Sequence, residues 1–300
     1  MTDEIPMPPL RTSLLLLSLA LAGALGTAQA KEQPLTLDVY NAGDQAIFPV
    51  SSVLVEGAYD AVLIDAQFAH SDAVKLVDKI KASGKQLTTI YISHGDPDYY
   101  FGLDVLHAAF PTAKIVASKP TLEHIQATEK AKLAYWGPIL KQDAPASIVL
   151  PEALTGDSLT LEGRKLDIVG LHGPTPDRSF VWIPSLKAVV GGVVVFDNLH
   201  VWMADTQTPA SHAQWLATLQ HIEQLKPAKV VPGHYQAGSP FDLSAVHYTR
   251  DYIKAYDAEA AKAKNAAELT AVMEQRYPNA GEKASLELSA KVSKGEMKWP

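Results

Sequence analysis

The chain contains no cysteine. That excludes disulfides, thiol nucleophiles, thiolate metal ligands and lipid attachment through an N-terminal cysteine. Any metal site must then be built from histidine, carboxylate and tyrosine. Basic charge is also in short supply: 26 Lys and Arg stand against 33 Asp and Glu, a net charge of −7. Binding a phosphate backbone needs a basic face, so nucleic acid is not an expected partner. No apolar run reaches bilayer length. Leu14 to Leu25 covers about a dozen residues, short of the ~20 that a spanning helix requires.

That run follows Arg11 and precedes Ala28-Gln29-Ala30, the layout of an export signal with an A-x-A cleavage pattern. The expectation is a signal peptide over residues 1–30 and a mature chain from Lys31 that is periplasmic or secreted and has no membrane anchor. From residue 31 the chain has 270 residues, with 25 basic and 31 acidic side chains and a net charge of −6. This size suits one large domain, or one domain with an appendage.

The first half reads as short strands, then alternating strands and helices. Strands are expected at 35–40, 47–49, 52–55, 61–65, 87–92 and 115–117, with helices at 71–82, 103–109 and 121–135. The second half repeats the theme. Its expected strands are 158–161, 165–171, 180–183, 188–196 and 229–231, and a helix spans 210–225. Helices at 243–261 and 266–277 close the chain, and the polar last twenty residues read as a loosely packed tail. Two sheet layers flanked by helices follow from this order.

Chemistry concentrates where the apolar strand Leu87 to Ile92 ends, in Ser93-His94-Gly95-Asp96-Pro97-Asp98-Tyr99-Tyr100-Phe101-Gly102. In extended backbone, residues two apart share a face, so His94, Asp96 and Asp98 would converge on one cation. A packed core does not call for an imidazole and two carboxylates together, because unpaired buried charge is costly. The plainer alternative is a solvated turn, for which Gly-Asp-Pro-Asp is suitable chemistry.

With Asp65 closing Val62-Leu63-Ile64-Asp65 and Pro232-Gly233-His234 after a late strand, the chain resembles the metallo-β-lactamase-fold superfamily over roughly Leu35 to His234. The resemblance implies an α/β, four-layer αββα sandwich with a metal site between the sheets. It places that domain at 31–240 and leaves 241–300 as a C-terminal helical extension. The family motif H-x-H-x-D-H reads here His94-x-Asp96-x-Asp98-Tyr99. Asp96 and Tyr99 replace two histidines. Pro174 takes the place of the later histidine, Val193 that of the bridging acid, and His234 matches.

On that resemblance the metal ligands would be His94, Asp96, Asp98 and His234, with His172 as a candidate replacement ligand. The alternative for His172 is a strand-end histidine satisfied elsewhere. One divalent ion is implied, zinc by family, with manganese or iron (and magnesium) favoured by the added carboxylate. Asp98 could take a proton from attacking water, and Tyr99 could donate to an oxyanion or simply pack as an aromatic. Asp65 reads as a loop-orienting acid and Asp177 as a turn or salt-bridge acid. His200, Trp202 and Asp205 either line a pocket or pack against the final helices. His70, His107, His124, His212, His221 and His247 read as surface, capping or helix positions.

The resulting expectation is an exported metal-dependent hydrolase. Its substrate would be a partly hydrophobic small molecule carrying an ester, lactone, thioester or amide bond. Two alternatives stand beside it. One is a binding protein of the same fold that has lost its metal site. The other is a mononuclear iron enzyme for oxygen or sulfur chemistry, on a His/Asp/His set.

Overall fold

Strands buried on both faces need apolar side chains at every position, and the two faces then serve two different cores. This governs the first half of the chain. In the computed structural model, which describes residues 1–4 and 33–299, β1 (Thr36–Asn41), β2 (Ser51–Glu56), β3 (Asp60–Ile64), β4 (Gln86–Ile92), β5 (Lys114–Ala117) and β6 (Glu152–Ala153) form one sheet in sequential order. The expected signal peptide falls outside the described residues except for its first four. Val53, Val55, Val62, Ile64 and Tyr91 face the second sheet. Their neighbours Leu54, Leu63, Ile90 and Ile92 join a core with α1 (His70–Ser83), α2 (Pro97–Tyr100), α3 (Leu103–Ala109) and α4 (Lys119–Leu140). Burying each such aliphatic side chain contributes roughly 1.5–3 kcal/mol.

The second sheet contains β7 (Ser158–Leu161), β8 (Arg164–Val169), β9 (Phe180–Ile183) and β10 (Ala188–Val190). After β11 (Phe196–Asp197), the strand β12 (Lys229–Val230) completes that sheet in the order β12-β10-β9-β8-β7. β13 (His234–Tyr235) pairs in parallel with β11. α5 (Pro209–Leu225) and α6 (Leu243–Ala260) join the core on the other side, so the expected αββα layering is the architecture observed.

Three departures from the sequence expectation stand out among the strands and the tail. The strand expected over 188–196 stops at Val190, because Gly191 and Gly192 take φ of 68° and 81° and turn the chain before β11. Residues 47–49 form no strand; the adjacent Val50 makes an isolated bridge to His234. The expected loose tail is corrected: beyond α7 (Ala266–Arg276), helix α8 (Lys283–Ser293) buries Leu286, Ser289, Ala290 and Val292. These last helices are tied to the loop after β11. The Tyr248 hydroxyl donates to Leu199 O at 2.7 Å, and the Met203 N–H donates to Ser289 Oγ at 3.0 Å.

One carboxylate joins the turns of the two sheets. Glu162, between β7 and β8, accepts the N–H groups of Ala58, Tyr59 and Asp60 at 2.8, 2.6 and 2.9 Å. Those hydrogen bonds, led by Asp60, lower its pKa from 4.5 to about 2. A folded pKa below the unfolded one stabilises above pH 4.5, and the contribution fades as pH falls towards 2. Glu162→Gln therefore should melt a few degrees below the wild type at pH 7, with the gap narrowing between pH 5 and pH 3. Thermal melts across that range check this; a gap independent of pH would contradict it.

Candidate active site

Three loop ends meet backbone to backbone at one rim of the sandwich. Ser93, just after β4, donates its N–H and its hydroxyl to Asp65 at 2.8 and 2.6 Å, and the Gly192 N–H donates to Ser93 Oγ at 2.7 Å. Asp65 is enclosed at φ 67°, and burial pushes its pKa up to about 7. Approach is so close that a Cβ on Gly192 would lie 2.3 Å from Ser179 O, and one on Gly233 would lie 2.2 Å from Gly192 O. Glycine is required at both, and the junction delivers His94, Val193 and His234 to one region. Asp65 thus orients the loop, the role expected for it.

Asp96 is extended (φ −81°, ψ 150°), and Pro97 then begins the helical turn α2. Proline's fixed φ suits a first helical position. Asp98 and Tyr99 consequently leave the strand direction, so the expectation that His94, Asp96 and Asp98 share one extended face is corrected. Two separate pairs form instead. His94 Nε2 lies 3.1 Å from Asp96 Oδ2, while His234 Nε2 lies 3.1 Å from Asp98 Oδ2. The Tyr99 ring meets both imidazoles edge-on, with centroids 5.3 Å from His94 and 5.7 Å from His234. Its hydroxyl faces Gly192 O at 3.5 Å, and burial holds its pKa well above 10.

Lys132 supplies the positive charge. From α4 its Nζ reaches Asp96 Oδ1 at 3.1 Å. Burial alone would raise the pKa of Asp96, but the charges of His94 and Lys132 hold it well below the ordinary carboxylate range. Burial likewise opposes the charged forms of Lys132 and His234, yet their acid partners keep both pKa values raised. Behind His94, the carbonyl of Asp177 lies 3.1 Å from Nδ1, and the Asp177 carboxylate lies 3.6 Å from His124 Nδ1. Asp177 is thus the ion-pair partner of His124, and that contact raises the histidine pKa and lowers that of the acid.

A cavity of about 30 Å³ lies between these pairs, lined by Asp96, Asp98, Lys132, Asp205, His234 and Glu282 and walled by Phe48, Trp136, Val193, Trp202 and Trp299. That is room for about one water molecule. Asp205 accepts the indole N–H of Trp202 and, at 2.7 Å, that of Trp299. Burial raises the pKa of Asp205 and brings that of Glu282 to about 7. Trp299 meets Trp202 edge-on at 5.4 Å and lies 5.3 Å from the Lys132 ammonium. Trp202 therefore both lines the cavity and packs against the C-terminal segment. His200 turns away to the Tyr252 hydroxyl at 2.9 Å, and His212 is held by Asp257 at 2.6 Å.

The structure separates His172 from this group. It is exposed and lines a different cavity with Pro174 and His221. With Pro174, Val193 and Tyr99 where three further ligands would stand, each His–Asp pair keeps two donors and lacks a third. Among the described residues no three His, Asp or Glu side chains are grouped to hold a metal ion. A divalent ion needs about four ligands, with water supplying one or two, so the donor set fits neither the single zinc, manganese or iron ion nor the facial iron set expected from the sequence. The Lys132 ammonium satisfies Asp96 instead. Sequence reasoning missed Lys132, Trp136, Glu282 and Trp299. A lysine within an ordinary helical pattern carries no signal that its ammonium turns inward.

Breaking one partner of a buried ion pair costs about 3–5 kcal/mol, whereas an apolar replacement of both is far milder. Asp96→Asn should therefore destabilise the fold by roughly that amount, and Asp96→Asn with Lys132→Met should recover most of it, as read by urea unfolding. Equal loss in both variants would show that the pair does not carry the energy.

The geometry has parallels in known proteins. The profile of the metallo-beta-lactamase superfamily matches residues 46–234. A metallo-beta-lactamase from Pontibacter korlensis superposes with a TM-score of 0.55 at 21% identity, over 74% of this chain and 95% of that one. A metallo-beta-lactamase family protein from Thermus thermophilus gives 0.58 at 16% identity, over 87% and 94%. At these identities the likeness bears on the fold. The uncharacterized protein YobT of Bacillus subtilis (strain 168) is 35% identical over 74 residues, 25% of this chain, and the match spans 31% of that protein's length. Superfamily members usually bind divalent metals such as zinc, against which the two-donor pairs here stand out. A profile match across both sheets and the rim that joins them places the chain in the metallo-beta-lactamase superfamily.

Proposed function

We propose that this chain is an exported hydrolase for a small, neutral, partly hydrophobic acyl compound, and that side chains supply its catalytic charges. One observation carries the reading: the His234–Asp98 pair and Lys132 line the same cavity. His234 Nδ1 is buried and has no hydrogen-bond partner. An imidazole that donates its Nε2–H to Asp98 keeps a lone pair at Nδ1, which can take a proton from water. Asp98 fixes the ring and stabilises the imidazolium that forms. Lys132 gives one N–H to Asp96, and its other N–H groups face a developing oxyanion, where a preorganised cation in a dry site has most effect. The aromatic walls favour an apolar acyl group, and a single ammonium beside four acids disfavours a highly phosphorylated one. Of the bonds named from the sequence, ester, lactone and thioester suit this site best, since their leaving groups need less proton assistance than an amide.

The cavity of about 30 Å³ is small for such a substrate, and Trp299 is one of its walls. That small volume also favours a second reading, a binding protein without turnover, and one experiment separates the two. Chelator-treated, desalted protein is assayed against p-nitrophenyl butyrate, an aliphatic lactone and an acyl thioester. Turnover should survive chelation, and His234→Ala and Asp98→Asn should each lower kcat/KM by ~10²-fold or more with the circular dichroism spectrum unchanged. Absence of turnover on all three substrates overturns the hydrolase. Turnover lost on chelation and restored by zinc, manganese or iron overturns the side-chain chemistry.

A further inference from the structure

A second cavity, of about 770 Å³, shares no lining residue with the site above. It lies between the end of β8, the segment 170–175 and α5, with Phe180, Trp182, His172 and His221 among its walls. This is within the size range of small-molecule pockets. Its inner wall contains Arg178, which is only 8% exposed. The guanidinium lies 4.6 Å from the centroid of the Trp215 ring. Among the described residues no carboxylate pairs with Arg178, and its Nε is enclosed without a partner.

A buried guanidinium without an anion is costly to the fold, because desolvation is not repaid by a partner. Lys132 has Asp96 and Asp98 has His234 as counter-charge, while Asp65, buried without one, accepts two hydrogen bonds from Ser93. Among the described residues Arg178 has no ion-pair partner, although its charge acts at longer range on Asp177 and Asp205, and it lines the open volume. Two acids also line this cavity. Asp167 is paired with Lys165 at 2.6 Å, and Asp157 is at the exposed rim. Arg178 brings positive charge to the inner wall, beside the partly exposed ring of Trp182 and the His221 imidazole, which meets the buried Phe180 edge-on at 6.3 Å. An arginine fork matches a carboxylate or sulfonate in two parallel hydrogen bonds.

We propose that this cavity binds a small organic anion, a carboxylate or sulfonate carried on an aromatic or branched aliphatic body, with its head on Arg178. The inference is independent of the hydrolytic reading. Naphthalene-2-carboxylate serves as probe, titrated into the full chain by calorimetry and by tryptophan fluorescence, with Trp182 and Trp215 as reporters. Saturable binding is expected. Arg178→Met should weaken it by about tenfold or more, Arg178→Lys should weaken it less, and neutral naphthalene-2-methanol should bind much more weakly than the carboxylate. Without ligand, Arg178→Met should melt at or above the wild-type temperature, because a liability is removed.

Ala217 is an exposed helical residue lining the cavity, so Ala217→Glu adds a repelling carboxylate without disturbing Arg178. It should also weaken the probe. No binding to the wild type overturns the proposal, and so does binding unaffected by Arg178→Met and Ala217→Glu. Inorganic sulfate binding as tightly as the naphthoate overturns the organic body, and a ligand-free melting temperature of Arg178→Met well below the wild type overturns the unpaired-charge argument.

Discussion

A single enclosed carboxylate, Asp65, is the constraint on which the rim of the sandwich depends. It follows β3 directly, accepts two hydrogen bonds from Ser93 just after β4, and through the Ser93 hydroxyl reaches the Gly192 N–H beyond β10. Both sheets are therefore pinned to one another at the edge where the loops carry their chemistry. The Ala66 N–H donates to Tyr99 O at 2.8 Å and the Gly102 N–H to Gln67 O at 3.0 Å, so the Asp98-bearing turn is fastened to the same post. Burial brings Asp65 to a pKa of about 7, the electrostatic cost of placing an acid where geometry demands it. Such a cost persists only where the surrounding structure over-determines the position.

Around that post, the chain keeps the layout of a metal centre while satisfying its charges internally. His94 with Asp96 and His234 with Asp98 are two half-sites held apart by the Tyr99 ring. A lysine ammonium differs from a divalent ion in carrying half the charge on a flexible stem with three hydrogen-bond donors. It balances Asp96 without drawing the second pair in, which is consistent with Asp98 and His234 forming a dyad of their own. The C-terminal helices then complete the enclosure with Glu282 and Trp299.

Much of the architecture was legible from the pattern of apolar residues. Runs such as Val62-Leu63-Ile64 are apolar at every position, and that is how a strand reads when one face meets helices and the other a second sheet. Asp65 and His234 were identifiable because acids and histidines at strand ends have few structural reasons to be there. The turn at Pro97 carried a signal, since proline opens helices, but the extended reading of His94, Asp96 and Asp98 overrode it. Lys132, Glu282 and Trp299 left no trace, because they come from elements far along the chain and nothing local marks a helical lysine as buried. The loose-tail expectation for 281–300 failed for a related reason: α8 buries serines and alanines as well as Leu286, so its inward face is weakly apolar in sequence.

The sequential order of the first sheet shapes how the protein is made. All six of its strands lie within residues 36–153, whereas the strands that cover its inner face begin at Ser158. On the ribosome, that sheet can pair while Val53, Val55, Val62, Ile64 and Tyr91 are still bare to solvent. The Glu162 clamp cannot close until another hundred residues have followed Asp60. A half-made sandwich of this kind exposes an adhesive apolar face throughout the interval, so the nascent chain depends on being shielded or held extended until its second half emerges.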